Sequence, residues 1–206
     1  MSREIFESVS SHVRETALLE ATLALLEWDE RTGLPSKAGG YRAEQATLLS
    51  GMIHRRKTDD SLGEKLEQLA DSDLGRDLDS KEGATIARLN KDFQKNRKLP
   101  VELVEAISKA TVLGQQAWEK ARKADDWLAF KPHMEEIFKL RKQEAALLKS
   151  EGASEYDALL DNYEEGAETS KLVEIFGELR DELVTLVQQL SEALGRPTTD
   201  HGYYTE

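Results

Sequence analysis

Near the C-terminal end, Leu172, Phe176, Leu179, Leu183, Leu186, Leu190 and Ala193 follow one another in alternating steps of four and three. A strand would scatter these seven side chains over both of its faces, whereas a helix gathers them on one side. The predicted helix is about 25 residues long, or roughly 37 Å at 1.5 Å per residue, and carries a coiled-coil-like seam. Thr169 or Ser170 caps its start, Gly195 suits the left-handed residue past its end, and Pro197 prevents continuation.

The same periodicity recurs upstream. Ile5, Val9, Val13 and Ala17 at four-residue spacing, followed by a denser apolar stretch at 18–26, predict one long amphipathic helix. Its second half is expected to be the more buried. It should end near 27–29, because Gly33, Pro35, Gly39 and Gly40 follow. A helix over 41–57 turns Ala43, Ala46, Leu49 (or Leu48) and Ile53 inward. Asp60 or Ser61 caps a short helix through about Ala70, and 71–78 reads as a polar connection.

Asp79 or Ser80 caps a charged helix carrying Ile86, Leu89 and Phe93. Pro100 fits the first turn of the next helix, where its missing N–H would have no partner. There Leu103, Ile107, Ala110, Gly114, Ala117 and Ala121 make a face of small residues that a neighbouring helix can approach closely. Asp125 or Asp126 caps another helix, which carries Trp127, Phe130, Met134, Ile137, Arg141, Ala145 and Leu148. A short helix is expected around 155–162.

No segment alternates as a strand does, and no fixed-period repeat is evident. The fold class is therefore all-α, a bundle of about six to eight mostly antiparallel helices ending in a long one. Residues 1–195 read as a single helical domain and 196–206 as a polar tail, with the break at 151–168 the best candidate hinge.

Lys and Arg total 28 against 40 Asp and Glu, a formal net charge of -12. So negative a surface repels phosphate backbones and anionic lipid heads, which argues against nucleic-acid and membrane partners. There is no Cys, and so no disulfide, thiolate metal site or cysteine nucleophile. No apolar run is long enough for a transmembrane helix, and the start at Met1 lacks the apolar core of a signal peptide. The expected location is cytoplasmic.

Helical zinc sites usually read His-Glu-x-x-His, two imidazoles one turn apart with a carboxylate base between them. The four histidines are His12, His54, His133 and His201, and no two stand four apart. Di-iron bundles need Glu-x-x-His, but Val9, Gly51, Phe130 and Thr198 occupy the positions three before. His133 and Glu136 read as a solvated helix face. No phosphate-binding Gly-x-x-x-x-Gly-Lys loop and no Gly-x-Ser-x-Gly elbow is present. Neither catalytic nor metal residues are assigned. The unusual local feature is Glu27-Trp28-Asp29, running into a Gly/Pro loop and then Arg42, Glu44 and Gln45. Trp28 reads as a packing anchor, and Asp29 as a loop-fixing partner of Arg31 or Arg42.

These residues carry a resemblance. Leu26-Glu27-Trp28-Asp29-Glu30-Arg31-Thr32-Gly33-Leu34-Pro35, followed by Tyr41-Arg42-Ala43-Glu44-Gln45-Ala46, resembles the N-terminal region of Taq-type thermostable carboxypeptidases, peptidase family M32. The likeness continues through 99–104, 110–122, 126–132, 156–164 and the final helix from Phe176, and so spans about 25 to 195. It implies a mostly helical zinc metallocarboxypeptidase whose metal site, His-Glu-x-x-His with a downstream Glu, lies in a larger C-terminal part. In this chain Asp29-Glu30-Arg31-Thr32-Gly33 only mimics that family's Asp-x-Arg-x-Thr motif, with Gly where Thr is required.

By this resemblance the chain is a cover for the substrate groove without its active site. Trp28, Asp29, Arg42, Glu44 and Gln45 then stand as groove or loop-fixing residues, and no zinc or other cofactor is expected. The first expectation is a stand-alone binding or interaction protein with no peptidase activity of its own. Its partners would be a second copy, a helical protein or a peptide. The alternative is a truncated piece of a metallocarboxypeptidase whose catalytic part is missing or on another chain.

Overall fold

The computed structural model describes residues 2–35 and 37–195, so the tail at 196–206 lies outside the described residues. Among these there are nine helices and no strand: α1 (Ser2–Thr32), α2 (Gly39–Lys57), α3 (Asp60–Ala70), α4 (Asp73–Arg76), α5 (Lys81–Asn96), α6 (Val101–Ala124), α7 (Trp127–Leu148), α8 (Glu155–Leu160) and α9 (Thr169–Ala193). The all-α expectation holds. Packing divides the chain into two compact units, Met1–Lys149 and Ser150–Glu206.

Helix starts follow side-chain chemistry. Asp59 accepts from the Leu62 amide, Ser80 from Gly83, Asp126 from Ala129 and Ser154 from Asp157. Each side chain satisfies an amide that the first turn leaves without a partner. Pro100 sits one residue earlier than predicted, at the N-cap of α6. The supposed polar connection at 71–78 contains the single turn α4.

α1 corrects the sequence reading twice. It runs on to Thr32 rather than ending near 27–29, since nothing before Gly33 opposes helix, and the Gly33 and Leu34 amides close it on Asp29 O at 2.9 and 3.0 Å. Burial is also reversed, because Val9 and Thr16 are its buried residues while Leu18 and Leu25 are each 66% exposed. At 100° per residue, Leu18, Leu25 and Trp28 fall opposite the Leu23 side. Hydrophobic density foretold burial of the wrong half.

The first unit has two cores. Val9 of α1 packs with Leu62, Leu66 and Leu69 of α3 and with Ile86 and Phe93 of α5. Farther along α1, Leu23 packs on a cluster of small residues, Ala43 and Ala46 of α2 with Val112 of α6. Small side chains bring backbones together there, as the sequence led one to expect for α6: a Cβ on Gly114 would stand 2.7 Å from Ile137 Cδ1 of α7. Gly83 is tighter, since a Cβ there would lie 2.0 Å from the backbone oxygen of Asp77.

The second unit is organised by one carboxylate. Asp157 accepts the Ser154 amide at 3.2 Å in a reciprocal capping box, the Thr169 amide at 2.8 Å, and the Thr169 hydroxyl. It thereby ties the start of α8 to the start of α9. Thr169 is consequently the first residue of α9 rather than its cap, and Glu168 holds the cap position without a side-chain bond. Gly195 has φ 62°, the predicted left-handed residue.

Candidate functional site

α1 and α2 run antiparallel, pinned at two levels by arginines from α2. Near the end of α1, Arg42 donates through Nη1 to Leu26 O at 2.5 Å and through Nη2 to Asp29 Oδ2 at 2.6 Å, while its Nε donates to Gln45 Oε1 at 3.1 Å. Four turns away, Arg56 donates to Thr16 Oγ1 at 3.0 Å, His12 O at 3.2 Å and Glu15 Oε2 at 2.9 Å. A ring nitrogen of His12 returns a bond to Arg56 O at 2.8 Å. The residues 42, 46, 53 and 56 share one stripe of α2.

Of the five residues singled out from sequence, the structure brings Asp29, Arg42 and Gln45 into one cluster. Glu44 is exposed. Trp28, read as a packing anchor, is instead 65% exposed, since it falls on the side of α1 away from α2. Arg56, His12 and Thr16 were missed. Their signal was the spacing of 14 between Arg42 and Arg56, which repeats a face of α2.

Between α1, α2, α6 and α7 lies a cleft of about 470 Å³. Its floor is apolar, from Leu23, Ile53, Ile107 and Val112, and its walls carry Glu20, Glu27, Glu30 and Glu144 beside Arg31, Lys57 and Arg141. Most of these charges are already engaged: Arg141 Nη1 meets buried Glu144 at 2.7 Å, and Lys57 Nζ meets Glu20 at 2.5 Å. Burial pushes the Glu30 carboxyl above its usual range, against the pull of the Gln116 amide, Arg42 and Arg31. Glu27 adds like-charge repulsion.

The cleft holds no activated nucleophile. Ser50 Oγ donates to Ser108 Oγ at 2.9 Å, and the ring of buried His54 is engaged with Leu99 O at 2.7 Å. Nor do the residues fit a metal. His12 and His54 are committed to backbone oxygens. His133 is exposed beside Glu136, which pairs with Lys139 at 3.5 Å. Among the described residues no group of three or more His, Asp or Glu side chains could hold a cation. His201 lies outside them.

A model of the carboxypeptidase Taq (M32) metallopeptidase family matches residues 8–205. Thermostable carboxypeptidase 1 of Thermus thermophilus is 32% identical over 202 residues, which cover 94% of this chain and 40% of that protein. Carboxypeptidase 1 of Bacillus subtilis is 32% identical over 183 residues, 86% of this chain and 35% of that one. The crystal structure of BsuCP superposes with a TM-score of 0.80 at 26% identity, covering 92% of this chain and 37% of its own. The Pyrococcus furiosus carboxypeptidase does so with a TM-score of 0.75 at 26% identity, over the same shares.

Helical fold and matched sequence together place the chain in one protein family. It belongs to the carboxypeptidase Taq (M32) family and spans about 40% of the length of the curated relatives it matches. Among the described residues no helix is long and apolar enough to cross a membrane.

Proposed function

We propose that this chain is a non-catalytic helical module of the M32 type, a binding or interaction protein with no peptidase activity of its own. The observation that carries this reading is the histidine spacing, since His12, His54, His133 and His201 leave no His-Glu-x-x-His in a chain that the family model matches almost throughout. Activating water near neutral pH needs a cation held by protein ligands with one position open. Among the described residues the side chains form no such set, whereas the cleft and the cluster of Asp29, Arg42 and Gln45 suit a rigid wall for a peptide or a helical partner. We place the protein in the cytoplasm.

The test is a metal analysis of the purified chain, followed by an assay on chromogenic C-terminal dipeptides with Zn²⁺ or Co²⁺ added. No stoichiometric zinc and no turnover are expected. Stoichiometric zinc on its own side chains, or metal-dependent turnover, overturns the reading.

A second reading, a piece of a metallocarboxypeptidase whose catalytic part is elsewhere, is favoured by the share of 40% that the chain makes of its Thermus relative. A reading frame that continues past Glu206 into a His-Glu-x-x-His codon pattern would establish it.

A further inference from the structure

We draw no further inference here: the strongest candidate, the outward face of α1 on which Leu18, Leu25 and Trp28 stand exposed, is an unpartnered apolar surface, and nothing in the structure shows what covers it.

Discussion

Arg42 Nη2 lies 2.6 Å from Asp29 Oδ2, across the turn that joins α1 to α2. The guanidinium is nearly buried and the carboxylate half open, and the same arginine also binds Leu26 O, a helix carbonyl two turns before the end of α1 whose second lone pair is available to it. One side chain therefore fixes both the end of the first helix and the entry angle of the second.

Arg42→Ala should cost about 1–2 kcal/mol in urea unfolding, since it removes a nearly buried guanidinium and its bonds to Leu26 O and Gln45 while the half-open Asp29 carboxylate turns to water. Arg42→Lys should recover less than half of that, because a single ammonium cannot reach three acceptors in a fork. A double-mutant cycle with Asp29→Asn should show coupling of about 1 kcal/mol. Purely additive losses would mean that the pair contributes nothing to stability.

Two glycines separate crowding by backbone from crowding by side chain. At Gly83 a new methyl meets the Asp77 carbonyl oxygen, which cannot move without shifting the chain, so Gly83→Ala should destabilise by about 1–3 kcal/mol despite its better helix propensity. At Gly114 the obstacle is the tip of Ile137, a flexible side chain, so Gly114→Ala should stay within about 1 kcal/mol of the parent. Equal effects in thermal unfolding would contradict this account.

Glu30 is held above its ordinary value of 4.5 chiefly by burial. An acid raised in the folded state binds protons more tightly there than in the unfolded chain, so its contribution to stability falls as pH rises from 4.5 through the raised value. Glu30→Gln should therefore unfold at a higher temperature than the parent at pH 7, and the gap should close as pH drops below 4.5. A gap that persists in acid would assign the effect to packing.

Asp157 shows the opposite sign. The Thr169 hydroxyl, Ser154 and the Thr169 amide hold its carboxyl well below the ordinary 3.8. Its contribution is full above that value and is lost as pH falls below it. Asp157→Ala should speed hydrogen exchange at the Thr169 amide at neutral pH, and Ser154→Ala should cost about 1 kcal/mol as a lost cap. An unchanged Thr169 exchange rate would show that other contacts hold α8 to α9.

Helix starts were legible at Ser80 and Asp126, because capping is settled within four residues, whereas α3 is capped by Asp59 rather than by Asp60 or Ser61 and α9 starts at Thr169 behind Glu168. The tie from Asp157 to Thr169 spans 12 residues and leaves no such mark. The cluster of Asp29, Arg42 and Gln45 was half visible: the residue types were right, but the partner of Asp29 was open between Arg31 and Arg42 until α2 folded back along α1.

Local periodicity by itself determined that this chain is helical and which residues share a face, because both depend on bonds and clashes within a few turns. Which faces are covered was decided only in three dimensions. Leu25, Trp28 and the α9 leucines are as apolar as Leu66, yet they lie open while Leu66 is shut away. Burial requires a second surface in the right place, and no helix carries that information in its own sequence.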